Sequence, residues 1–245
     1  MVQGFNQYAA AINSQRANRC SGRRTRPPSP FPPHFPPYLD NNFTEENYNF
    51  TDINGNNFQG LRGDRMEVTL LPGAFQEPGT APGSNELEPI TSFLRNHYPI
   101  HQFIKGHMWN QEIGGKGVTK NLVPLTSQAN SAHKNNAETP LKEALRQFGT
   151  FYQLNNSNHP DYAKVYGFEY VVETENDYWQ IVTELIVPNS IHVQVFPGKY
   201  PDAQGNFSRD NSIINNAITN QGLRDNINRL VNGIWIDQNG VVTDA

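Results

Sequence analysis

The chain has 245 residues, 36% of them hydrophobic, with 19 basic against 23 acidic side chains and a net charge of −4. That balance excludes a wholesale polyanion binder while leaving a local basic site open, and no run of ~18 apolar residues is present to span a membrane. The length allows one core-forming domain, or one plus an appendage, without disulfides or structural metal, but a mean hydropathy of −0.67 argues against packing all of it.

The first residues lack a basic stretch followed by a continuous apolar one, so no secretory signal peptide is predicted. Export by an unconventional route stays open. Cys20 is the one cysteine and has no intramolecular disulfide partner. Arg16, Arg19, Arg23, Arg24 and Arg26 crowd together, and seven of the 18 prolines fall between Pro27 and Pro37. Proline lacks the N–H that helices and ladders use, so this reads as a polyproline II linker. The Asn-rich stretch that follows has too few apolar residues to offset ordering entropy. Residues 1–60 are therefore expected to be a disordered Arg/Pro/Asn-rich segment. A Pro-rich docking segment or a basic phosphate-binding arm is the other reading.

Residues 61–245 are expected to form the folded domain, with order beginning near Arg65. RMEVTLL alternates and predicts a strand. A turn-rich loop follows to Pro89. HYPIHQFIKGHMW predicts a short strand, QEIGGKGVTK a Gly-rich loop, and NLVPL a brief apolar run closed by proline. From Thr126 the pattern is helical, with Thr126 or Ser127 as cap and Leu141, Leu145 and Phe148 at helical spacing. Thr139-Pro140 predicts a kink or split. YAKVYGFEYVVET, DYWQIVTELIV and SIHVQVF are β-prone and predict antiparallel neighbours. Ile213 to Val231 shows helical offsets, and Asn239-Gly240 between short apolar runs predicts a terminal hairpin. The fold class is α+β, centred on a strand–loop–strand–helix unit.

That central unit, residues 105–138, holds the chemistry. His107 follows a glycine at a strand end. Gly114, Gly115 and Gly117 form a Gly-rich loop, Asn121 opens N-L-V-P, and the helix bears Asn130 and Glu138. This ordered set resembles the DNA/RNA non-specific endonuclease family, within the His-Me finger (ββα-metal) nucleases. The likeness covers residues 105–145 firmly and the later strands weakly. It implies a central ββα-metal finger flanked by antiparallel strands and helices. It implies His107 as general base, Asn130 as ligand of Mg²⁺ or another divalent cation such as Mn²⁺, and Glu138 as the acid that orients metal-bound water. It implies Asn121 as the residue that steadies the loop and the histidine ring. The family usually writes Asp-Arg-Gly-His before the base; here the tetrapeptide is Ile104-Lys105-Gly106-His107. Lys105 stands where the family arginine does, and Lys142 matches a basic position one turn after the glutamate. The implied substrate is DNA, RNA or both. Toxin modules of this family imply a small immunity protein as partner.

Elementary chemistry supports the same roles. An imidazole with an ordinary pKa near 6.5 is neutral and basic at cellular pH. A hard cation that keeps its waters needs few protein ligands, so one amide oxygen suffices. Residues eight apart lie roughly on one face of a continuous helix. Lys105, Lys116, Lys120, Lys134 and Lys142 are candidate phosphate contacts, which fix position without reading bases. His101 and His133 read as bystanders, GGKG lacks the P-loop's terminal Lys-Ser/Thr, and Tyr178 and Trp179 read as core. Two other readings stay open: a degenerate nuclease fold that binds nucleic acid or protein without cutting, and an interaction protein whose Pro-rich arm docks a partner.

Overall fold

The computed structural model describes residues 36–52, 54–154, 161 and 164–245. The Arg-rich stretch, Cys20 and most of the Pro-rich stretch lie outside these residues. The fold is mixed α and β, built mainly on an antiparallel sheet ordered β1-β2-β5-β6-β8-β9, with β7 pairing β6. Its strands are β1 (Tyr38–Thr51), β2 (Asn57–Leu70), β5 (Val165–Thr174), β6 (Ser190–Tyr200), β7 (Ser208–Arg209), β8 (Ile234–Asp237) and β9 (Val242–Asp244). A separate two-stranded sheet pairs β3 (Ile104–His107) with β4 (Leu122–Leu125).

Order begins before Arg65. Residues 38–51, expected to be disordered, form β1, and the pairing runs from Tyr38↔Leu70 to Thr51↔Asn57. Most of β1 is solvent-facing on both faces, so apolar patterning does not announce it. Backbone pairing holds it instead, with Tyr48 and Phe50 anchored in a core cluster and Phe43 packed against Trp109. The hairpin turn is set by Asp52, whose Oδ1 accepts the Asn54 and Asn56 N–H at 2.9 and 2.8 Å. Asp202 and Asp237 build the same turn between β6 and β7 and between β8 and β9. Each places a glycine in the left-handed region, Gly55, Gly205 and Gly240, which is the three-residue hairpin with a G1 bulge.

The helices are α1 (Ile90–His97), α2 (Ser127–His133), α3 (Thr139–Leu154), α4 (Ser212–Ala217) and α5 (Gln221–Asn232). The last two replace the single predicted helical stretch, which Asn220 breaks by capping α5 through Leu223 N–H at 2.9 Å. Residues 177–187, predicted as a strand, form turns and a single bridge at Tyr178↔Pro188. Their apolar side chains Trp179, Val182 and Ile186 pack instead into a second core with Phe93 and Leu94 of α1. The main core lies between the sheet and α3, α4 and α5. Phe148 of α3 stacks on Phe168 with ring centroids 4.9 Å apart and meets Tyr166 edge-on at 5.7 Å. Phe148→Ala is expected to cost about 3–5 kcal/mol in urea unfolding, with unchanged slope.

Candidate functional site

The site grows from the β3–β4 ladder, whose last pair is His107↔Leu122. The ladder does not stop there. Met108 N–H donates to the Asn121 carbonyl at 3.0 Å. The Asn121 side chain then supplies one more rung: Oδ1 accepts Trp109 N–H at 2.8 Å and Nδ2 donates to Trp109 O at 2.9 Å. Nδ2 also donates to Lys116 O at 2.9 Å. Asn121 is fully buried, so its amide is saturated by the loop it closes. Residues 108–121 are thereby tied to the end of the strand that carries His107.

His107 is half-buried, with Nε2 at 3.1 Å from the Thr80 carbonyl. A carbonyl only accepts, so Nε2 must carry the proton and Nδ1 is the bare basic nitrogen. No described residue bonds to Nδ1. Burial pushes the His107 pKa below its ordinary value; the Thr80 carbonyl and the Glu138 charge oppose the shift without cancelling it. The ring is therefore neutral at pH 7.

Thr80 belongs to a strap, residues 77–87, that crosses the Gly-rich loop. Gly79 N–H donates to Gln111 O at 2.7 Å, Thr80 N–H to Gly115 O at 3.2 Å, and Gly117 N–H to Thr80 Oγ1 at 3.0 Å. The approach at Gly79 leaves no space for a side chain, since a Cβ there would overlap the Gly115 carbonyl. Glu86 accepts from Thr119 N–H and Oγ1 at 2.5 and 2.6 Å. Lys105 Nζ donates to Gly83 O at 3.2 Å and Ser84 O at 2.8 Å and pairs with Glu88 at 3.1 Å. All three ammonium donors are engaged. Lys105, expected at a phosphate, instead fastens the strap that fixes the His107 tautomer.

Glu138 is buried, with Oε2 receiving Asn110 Nδ2 at 2.6 Å and Oε1 at 3.8 Å from His133 Nδ1. His133 stands beside Glu138 as a buried neighbour. Its ring is buried, Nε2 lies 2.8 Å from Tyr170 Oη, and Tyr170 Oη lies 3.3 Å from Met108 O. Burial holds the His133 pKa low and the Tyr170 pKa high. His133 Nε2 and the Tyr170 hydroxyl thus share one hydrogen bond, and the hydroxyl also reaches Met108 O. This polar file runs from Glu138 to the backbone beside His107, and sequence reasoning missed both of its middle members. Lys142 is buried and donates to Glu112 Oε2 at 3.0 Å, which draws the Glu112 pKa down. Like Lys105, it holds a carboxylate rather than standing free.

Asn130 lies in the first turns of α2, half-buried, and no described residue bonds its carboxamide. Between it and Glu138 the helix is not regular. Lys134–Glu138 forms a π turn closed by Thr139 N–H to Lys134 O. Pro140 explains it, since proline cannot donate to the carbonyl four residues back and its ring crowds that carbonyl. In an uninterrupted α-helix, positions eight apart diverge by about 80°. One residue absorbed by the π turn reduces that to about 20°, so Asn130 and Glu138 share a face. Among the described residues, no three His, Cys, Asp or Glu side chains gather as a metal-holding group. The free hard oxygen of Asn130 fits a cation that completes its shell with water, as Mg²⁺ does.

Two outcomes are expected. Asn121→Asp keeps the acceptor but removes both donors, setting a buried carboxylate against the Trp109 and Lys116 carbonyls; urea unfolding should show a loss of about 2 kcal/mol or more. His133 protonates near 6.5 in the unfolded chain and only at lower pH when folded. Stability is therefore full above about pH 6.5 and is lost as pH falls through the folded value. His133→Gln should flatten that part of the Tm–pH curve. A slope identical to wild type would show that His133 titrates alike in the folded and unfolded chain.

The chain matches no protein-family model, and no curated protein matches it.

Proposed function

We propose that the chain is a metal-assisted endonuclease that hydrolyses phosphodiester bonds of DNA, RNA or both. In this reading β3, the Gly-rich loop, β4 and α2 are the ββα-metal finger of a His-Me nuclease. The observation that carries it is the His107 ring, held by Nε2 on the Thr80 carbonyl with no described residue bonded to Nδ1.

His107 Nδ1 takes a proton from a water as its oxygen attacks phosphorus. The P–O3′ bond breaks, and the leaving oxygen takes a proton from solvent. The Glu138 charge favours the imidazolium formed in that step. Asn110 holds the Glu138 carboxylate still, and Asn121 holds the loop that bears Asn110. Asn130 is the residue that would hold Mg²⁺ or Mn²⁺, which when bound neutralises charge on the phosphoryl and leaving oxygens. Lys105 and Lys142 are engaged by acceptors, so electrostatic contact with phosphate falls to other lysines.

A second reading, a nuclease fold that binds without cutting, is favoured by Ile104 in place of the family aspartate. Digestion of plasmid and RNA by the purified chain, with Mg²⁺ and with EDTA, separates the two. On the nuclease reading His107→Ala keeps the far-ultraviolet circular dichroism spectrum and loses about 10²–10⁴-fold in rate. The wild-type rate rises with pH along an acid limb whose midpoint lies below the ordinary histidine value of about 6.5, because only the unprotonated ring is a base. Asn130→Ala raises the metal concentration needed. Digestion by His107→Ala at the wild-type rate overturns the reading.

A further inference from the structure

On the far side of the Asn121 clamp, the Gly-rich loop meets β1 and encloses a cavity of about 120 Å³. Tyr38, Phe43 and Trp109 form its aromatic walls, and Lys116 and Lys120 lie at it. Trp109 is fixed: buried, with Nε1 donating to Ile113 O at 2.9 Å and its ring edge-on to Tyr38 at 4.9 Å. Phe43 and Tyr38 are only half-buried, and the Phe43 and Trp109 rings lie 6.5 Å apart at 26°. The two lysines differ from Lys105 and Lys142. Both are exposed, and neither has a carboxylate partner among the described residues. The Lys120 ammonium sits 4.9 Å from the Phe43 ring centroid.

We propose that this cavity is a binding subsite for one nucleotide of a single-stranded nucleic acid, with the base against Phe43 and Tyr38 and its phosphate between Lys116 and Lys120. The chemistry is that of strand-binding surfaces in general: an aromatic platform takes any base by its face, and flanking cations take the backbone. A base must leave its stack to enter, so a duplex fits poorly. The cavity also shares parts with the proposed catalytic loop. Asn121 lines it, and Asn121 Nδ2 holds the carbonyl of Lys116 while bracing the residue two beyond His107. As a substrate subsite this rests on the nuclease reading; as a strand-binding site it stands by itself.

The test is fluorescence anisotropy of the full chain with a fluorescein-labelled oligothymidylate, and with a labelled duplex of equal length, in EDTA. The double variant Lys116→Ala, Lys120→Ala is expected to bind the single strand roughly tenfold more weakly, with a log–log salt slope shallower by about 1.4, two phosphates at about 0.7 each. Phe43→Leu keeps an apolar side chain against Trp109, so the fold survives; single-strand affinity should fall about fivefold or more and duplex affinity should not change. Wild-type affinity for the single strand in either variant overturns the subsite. So does a Phe43→Leu loss that is equal for single strand and duplex. His107→Ala separates this from the catalytic proposal. If the strand binds through the cavity but Mg²⁺ never yields cleavage, the nuclease reading falls and the subsite stands. If cleavage depends on His107 while the cavity variants bind normally, the subsite alone falls.

Discussion

One buried carboxamide governs the centre of this molecule. The Asn121 side chain answers both backbone groups of Trp109 and the carbonyl of Lys116, so it behaves as an extra strand residue at the end of the β3–β4 pair. Without it the loop between the two strands would bury carbonyls with no donor, which protein interiors do not tolerate. With it, the loop is rigid enough to bear the strap on one side and the aromatic cavity on the other. The strap in turn presents Thr80 to His107. Carboxamide, loop, strap and imidazole form a single chain of dependence.

Charge is distributed around that centre in an orderly way. Lys105 and Lys142 lie near it, and each is matched to a carboxylate, Glu88 and Glu112. The buried Arg62 guanidinium is likewise neutralised by Glu46 and bonded by Thr174 Oγ1 at 3.2 Å. Cations drawn out of water need such partners. Among the described residues, Lys116 and Lys120 at the loop's outer side and Lys134 at the π turn are exposed lysines with no carboxylate partner. A net acidic chain can thus keep a local basic surface, because its inner positive charges are cancelled in place.

The sequence disclosed side-chain chemistry better than backbone roles. His107, Asn121, Asn130 and Glu138 drew notice in the sequence because of their order and intervals. The structure puts Asn121 in the loop closure and Glu138 on Asn110. Thr80 drew no notice, because it acts through a carbonyl that every residue possesses. The late strands β5 and β6 were legible from their Val, Ile, Tyr and Phe content, and the last hairpin from Asn239-Gly240. β1 was hidden by its asparagines, since both its faces meet solvent and its order comes from pairing. Residues 177–187 misled in the opposite sense: their apolar side chains serve as plugs under α1 rather than as ladder residues. His133 and Tyr170 gave no local pattern, as their meeting depends on two elements 37 positions apart.

The π turn at Lys134–Glu138 has a consequence of its own. It acts as a rotary joint between two rigid rods: α2 carries Asn130, and α3 begins just past Glu138. Gaining or losing one residue there would swing the first rod by about 100° about the common axis while leaving the packing of the second against the sheet untouched. The angular setting of Asn130 against Glu138 is thus written in chain length rather than in residue type, where a single-codon deletion can dial it.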